Sequence, residues 1–153
     1  MSETSLIGKA KELAVASQLV RMGIHVFMPL VDNGIDLIAA SSDGAVLVPV
    51  QVKYKATRTG FSLDAKKAAG YPKTTVLAFG AEGHDQRAEL ETFHFFPVLD
   101  WLHEAEKHAT GREDGKLVVY SGKSDREWIV NHRGDRGIRG AFAAIFEANE
   151  RSA

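Results

Sequence analysis

Glu12, Asp36, Gln51 and Lys53 are the side chains whose types and spacing can do chemistry together. Two carboxylates, an amide oxygen and the backbone carbonyl of Val52 form an oxygen set suited to a hard divalent cation. Mg²⁺ keeps several of its waters and asks only one or two carboxylates of a protein. Lys53, two residues past Gln51, puts an ammonium group beside such an ion. There it can stabilise charge developing on a phosphate under attack, or position or deprotonate the water that attacks. In outline this is a site for phosphodiester hydrolysis.

Three local elements must bring these groups together. The first is a helix from about Leu6 to Met22, capped by Thr4 or Ser5 and stopped by Gly23, with Lys11, Gln18 and Arg21 on its wet side. At 100° per residue Glu12 falls among Gly8, Val15, Ala16 and Leu19, so its carboxylate points inward. Ile24 to Met28 then reads as a strand stopped by Pro29, followed by a turn at Asp32-Asn33-Gly34 and a second apolar run from Ile35 to Ala40. A hairpin turn at Ser41-Ser42-Asp43-Gly44 leads into the third strand, Ala45 to Tyr54. Counting outward from a two-residue loop sets Asp36 opposite Gln51, whereas a four-residue loop sets it opposite Pro49. Either register leaves Asp36, Gln51 and Lys53 on one side of the sheet.

The remaining chain reads as support. Lys55, Arg58 and Gly60 belong to a loop, Asp64 to Ala69 to a short amphipathic stretch, and Thr75 to Phe79 to a strand that a crossover would bring in parallel. Ala81 to Glu91 is a polar loop or short helix, and Phe93 to Phe96 is a strand ended by Pro97. Val98 to His108 is a helix with Leu99, Trp101, Leu102 and Ala105 toward the core. Leu117 to Tyr120 and Trp128 to Val130 are expected to form a hairpin. A last helix spans about Ile138 to Asn149, burying Phe142, Ile145 and Phe146. The fold class expected is α/β: a mixed central β-sheet flanked by helices, in a single domain over residues 1–153 with no repeat or linker.

Gly8-x-x-x-Glu12 on the helix, Gly34-Ile35-Asp36-Leu37 on the second strand and Gln51-Val52-Lys53 on the third resemble the motifs of the PD-(D/E)XK nuclease superfamily. The likeness is to its Holliday junction resolvase-like and homing-endonuclease branches, where a Gln can replace the acid of the tripeptide. The order helix, three strands, helix, strand is also similar to that superfamily's restriction-endonuclease-like α-β-β-β-α-β core. It covers about residues 5–80, leaving about 81–153 as a C-terminal extension. The resemblance implies that Glu12 and Asp36 are metal ligands, Gln51 a neutral ligand or water positioner, and Lys53 the catalytic lysine. It implies an endonuclease that hydrolyses DNA with Mg²⁺ or Mn²⁺. The rival it leaves open is a catalytically inactive nuclease fold that binds nucleic acid or a protein partner.

With 19 Lys and Arg against 20 Asp and Glu, the net charge of −1 offers DNA no long-range attraction. Binding of duplex or branched DNA must therefore use local basic groups. Lys55, Arg58, Lys66 and Lys67 follow the site directly. Arg133, Arg136 and Arg139 are expected on a glycine-containing loop ahead of a helix N-terminus. His94, His103 and His108 lack metal-ligand spacing and read as surface histidines. The chain has no Cys, which excludes disulfides and thiolate metal sites. No apolar run spans a bilayer and the N-terminus is polar, so a cytoplasmic location without membrane contact is expected. Symmetric duplex or junction substrates would favour a homodimer.

Overall fold

The computed structural model describes residues 3–31, 34–55, 60–81, 92–107, 115–120 and 124–153. Helix α1 (Glu3–Arg21) begins ahead of both expected capping residues and ends where Gly23 takes a φ of +84°, a left-handed conformation that glycine reaches without strain. Strands β1 (His25–Phe27), β2 (Leu37–Ala40) and β3 (Leu47–Lys55) follow as an antiparallel meander. The chain then makes β4 (Gly60–Asp64) and helix α2 (Ala65–Gly70), whose first amides Lys66 and Lys67 are capped by the Asp64 carboxylate. Strand β5 (Val76–Ala81) returns parallel to β3, and β6 (His94–Pro97) pairs antiparallel to β5. The main sheet has five strands in the order β1-β2-β3-β5-β6 and is mixed, as expected.

Several elements depart from the sequence reading. Gly60, expected in a loop, opens a strand that runs to Asp64. Its partner in a second, two-stranded sheet is β7 (Lys116–Tyr120). The expected hairpin of 117–120 with 128–130 is therefore absent. Residues 128–130 lie in helix α4 (Arg126–Asn131), because Asp125 accepts a hydrogen bond from the Trp128 amide and nucleates a turn. In helix α3 (Val98–Lys107) Val98, Trp101 and Ala105 are buried, but Leu99 is half exposed and Glu104 takes a core-side place, accepting from Ser124 at 2.8 Å. The expected C-terminal helix is two: α5 (Gly134–Ala141) and α6 (Ala143–Ser152), broken at Phe142. The reading of 82–91 lies outside the described residues, as do Asp32, Asn33 and His108.

Alternation along the strands sorts the apolar residues into two cores, one on each face. Val48, Val50 and Val52 of β3 pack with Val15 and Leu19 of α1, Phe95 of β6, and Ile138, Phe142 and Ile145 of α5 and α6. Leu77, Phe79 and Phe96 point the other way, onto Leu63, Val119 and Trp101. The second half of the chain thus fills the same interior as the first. Among the described residues no helix is long and apolar enough to cross a membrane.

Candidate active site

The hairpin register is Leu37↔Val50 through Ala40↔Leu47, and one step further sets Asp36 against Gln51, the pairing expected from the two-residue count. Asp36 grips β3 on both sides of Gln51. Its amide donates to the Val50 carbonyl at 3.2 Å, and its carboxylate accepts the Val52 amide at 2.8 Å. The carboxylate therefore does the work of a strand neighbour at the point where the β2 ladder ends. A residue's N–H and C=O leave a strand on the same side, so the Val52 carbonyl also faces that opening.

Glu12 arrives from a different layer. Helix α1 packs on the face of β3 that carries Val50 and Val52, whereas Gln51 and Lys53 alternate to the other face. The two sets meet at the end of the sheet, where Gly8, Glu12, Asp36, Gln51, Val52, Lys53 and Tyr54 line one cavity of about 280 Å³. Tyr54 lies over Gly8, and a Cβ added there would stand 3.8 Å from its ring, an ordinary contact. Alanine would fit at that position.

Three features of the environment went unread in the sequence. Glu12, with its side chain 16% exposed, is in ion-pair contact with Lys9, which is only three residues before it. The i, i+3 spacing was the available signal. Tyr71, just past α2, is held above the usual phenol range by burial first and by the charge of Asp36 second. Its proximity to Asp36 depends on how the β3–β5 crossover folds back, and no local pattern announces it. Gln51 is buried, and its Oε1 has no hydrogen-bond partner among the described residues.

Lys11 reverses its expected place. It is buried at 7% exposure, in line with Val15 and Leu19 rather than on the wet side, its aliphatic stem covered by the fold. The basic candidates spread out. Lys55 closes β3, Arg58 lies outside the described residues, and Lys66 and Lys67 are exposed on α2. Arg133 is exposed at the N-terminus of α5, while Arg136 and Arg139 are inside that helix, not on a loop. Arg136 donates to Asn131 and Arg139 covers the Phe146 ring at 5.7 Å. Asp135 beside them pairs with Arg21 at 2.7 Å, which ties this stretch to α1 nine residues, or roughly 13 Å, beyond Glu12. None of the three arginines lines the cavity.

His103 is exposed, but His94 is not a surface histidine. Its ring stacks with Phe96 and tilts against Phe61, and burial, then Arg133 and His132, push its pKa down to about 4. Among the described residues no three His, Asp or Glu side chains gather into a metal-holding group. The cavity instead offers two carboxylates, one amide oxygen and one backbone carbonyl.

No family model and no curated protein matches the chain in sequence. Solved structures do resemble it. The bacterial homing endonuclease I-Ssp6803I superposes with a TM-score of 0.57 over 99% of this chain and 100% of its own, at 19% identity. Hjc, a Holliday junction resolvase from the archaeal hyperthermophile Archaeoglobus fulgidus, gives a TM-score of 0.50 over 88% of this chain and 97% of its own, at 14% identity. At such identities the likeness establishes the architecture: an α/β domain built on a five-stranded mixed sheet flanked by helices.

Proposed function

We propose that the chain is a divalent-metal-dependent endonuclease that hydrolyses phosphodiester bonds of DNA, duplex or branched. The observation that carries this reading is the Gln51 amide oxygen. It is buried without a partner in a cavity that two carboxylates also line. An unsatisfied buried acceptor costs about 1–3 kcal/mol, a penalty that a cation ligated there would remove. The structural neighbours, one named a homing endonuclease and the other a Holliday junction resolvase, agree with nucleic acid as substrate.

Glu12, Asp36, Gln51 Oε1 and the Val52 carbonyl would hold Mg²⁺ or Mn²⁺, which supplies a polarised phosphate oxygen and a more acidic water. The hydrogen bond from the Val52 amide fixes the Asp36 carboxylate, so this ligand is oriented before anything binds. Lys53 holds its ammonium group against the negative charge that grows on the phosphate as water oxygen bonds to phosphorus and the ester oxygen leaves with the bonding pair. Lys9 competes for Glu12 and must yield it as the ion enters. Lys66 and Lys67, exposed on α2, supply backbone contacts.

Cleavage of a supercoiled plasmid and of a synthetic four-way junction, with Mg²⁺ or Mn²⁺ and with excess chelator, tests the reading. Cutting that needs the ion and disappears in Asp36→Asn is expected. Cutting that persists in chelator would refute it. The second reading, a binding protein with a retired site, is favoured by the neutral Gln51, which leaves only two carboxylates. It predicts nucleic-acid binding with no cleavage in either metal.

A further inference from the structure

The face of the main sheet that carries Gln51 and Lys53 also carries Tyr71. Directly paired residues of neighbouring strands turn their side chains to the same face, and β3 pairs Gln51 with Leu77 and Lys53 with Phe79. Asp36, Gln51 and Leu77 therefore form one row across the sheet, at strand spacings of about 4.8 Å. Leu77 and Phe79 belong to the core cluster on which Tyr71 packs. Tyr71 thus stands over the Gln51 and Lys53 side of the sheet, near enough to the start of that row for the charge of Asp36 to act on its phenol.

The position of Tyr71 is set before any ligand arrives. The residue closes α2, its amide donating to the Ala68 carbonyl at 3.4 Å. Its φ of −73° and ψ of 147° are the extended conformation that the ring of the following Pro72 imposes. The Pro72 carbonyl in turn accepts the Thr75 amide at 2.9 Å, at the entry to β5. Core contacts hold the ring and a tight turn holds the backbone. The hydroxyl, by contrast, has no hydrogen-bond partner among the described residues, although the side chain is half-buried. A phenol O–H set into a core layer ordinarily reaches a partner. Gln51 Oε1, on the same face, is also without one. An unmatched acceptor suits a cation, and an unmatched donor suits an anion.

We propose that the Tyr71 hydroxyl donates a hydrogen bond to a non-bridging oxygen of the phosphodiester that is cut, a step that rests on the nuclease reading. Tyr71 is not among the residues that line the cavity, so it stands beside the ion's place and not among its ligands. A phosphodiester is wider than an ion and reaches past the cavity rim. The ion and Lys53 would meet its oxygens from β2 and β3, and Tyr71 would meet one from the β5 side. The phenol keeps its proton throughout, because burial and the charge of Asp36 both favour the neutral form. A neutral donor orients the phosphate without repelling the cation, as a further lysine would.

Tyr71→Phe tests this by removing the hydroxyl alone. The ring still fills its place and no hydrogen bond inside the protein is lost, so the melting temperature and Mn²⁺ binding should match wild type. A hydrogen bond to a charged group is strong enough that kcat/KM on the synthetic four-way junction should fall about 10- to 100-fold. A second measurement is independent of cutting. The chain has three tyrosines. With 3-fluorotyrosine in their place, the fluorine line missing from Tyr71→Phe belongs to Tyr71. That line should shift when the junction binds with Ca²⁺ replacing Mg²⁺, and should stay in place with Ca²⁺ alone. Cutting by Tyr71→Phe at the wild-type rate would overturn the proposal and leave the nuclease reading standing. A melting temperature lowered by several degrees would mark a packing role and overturn it as well. A wild-type chain that binds the junction and cuts nothing would instead overturn the nuclease reading. The fluorine line then decides whether Tyr71 contacts DNA, and a line unmoved by bound junction refutes that contact.

Discussion

Asp36 has a structural duty and a proposed metal-binding one, and substitutions can separate them. Its carboxylate accepts the Val52 amide, so Asp36→Ala strands a backbone donor and should cost about 1–3 kcal/mol of stability, and on the proposed function it also removes a metal ligand. Asp36→Asn keeps an acceptor oxygen but loses the charge. It should melt within a few degrees of wild type while Mn²⁺ binding, followed by calorimetry, falls at least tenfold. Gln51→Glu adds the missing negative charge and should tighten Mn²⁺ binding, and Lys9→Met, by freeing Glu12, should do so as well. On the proposed mechanism, Lys53→Ala should lower kcat far more than it weakens Mn²⁺ binding, because its ammonium would act on the phosphate and not on the ion. That Glu12, Asp36, Gln51 and Lys53 line one cavity was readable because helix phase and hairpin count are local properties. Lys11 was misread because a lysine is expected in water, and its burial follows from where the helix lands on the sheet. Tyr71 was invisible for a related reason, since it meets Asp36 only through a long crossover.

At the level of elements, the aromatic stack joining β6, β4 and α4 has a pH signature. Phe96 is stacked by Trp128 and His132, and His94 lies in the same cluster with a pKa near 4 against an ordinary 6.5. The folded protein prefers this ring neutral, so the unfolded chain binds the extra proton between those values. Its contribution to stability is complete above about pH 6.5 and is lost as pH falls toward 4, on the order of 2–3 kcal/mol in all. Urea unfolding of wild type and His94→Phe across that window should show a slope with pH that the variant largely lacks. The strand in this cluster that carries Phe61 was not legible. Gly60 to Asp64 alternates Phe61 and Leu63 with polar residues, but it is short and its partner lies more than fifty residues on, and 117–120 looked instead to the adjacent apolar run at 128–130. That run became helix once Asp125 capped it. The C-terminal pair of helices shows the reverse case. Phe142, Ile145 and Phe146 keep one apolar spacing across the break, so periodicity could not reveal it.

For the molecule as a whole, the mixed pairing followed from element types and connection lengths, and the residues beyond about 80 pack into the same interior as those before it. Phe93, Phe95, Ile138, Phe142 and Ile145 complete the core that α1 and β3 begin. A chain ending at residue 81 should therefore fail to show a cooperative melt, and Phe142→Ala in the full chain should cost about 3–5 kcal/mol. DNA binding should be weak and steeply salt-dependent, because the net charge of −1 supplies no long-range pull and only local cations release counterions. Lys67→Glu should weaken binding at low salt and flatten the salt slope. An unaltered affinity would remove α2 from the interface.

The two-stranded sheet also sets the order of assembly in time. Its register joins Gly60 to Tyr120 and Asp64 to Lys116, residues more than fifty positions apart, whereas the β2–β3 hairpin closes a loop of only a few residues. The entropy of bringing such distant segments together must be met before their contacts return anything, so the hairpin with its Asp36–Val52 clasp can form early and the small sheet late. Substitutions at Val119 should then speed unfolding with little effect on the refolding rate, and those at Val50 should slow refolding. Stopped-flow measurement of both arms would read the sequence of events. The clasp that fixes the Asp36 carboxylate would be in place before the distant strands of the small sheet have met.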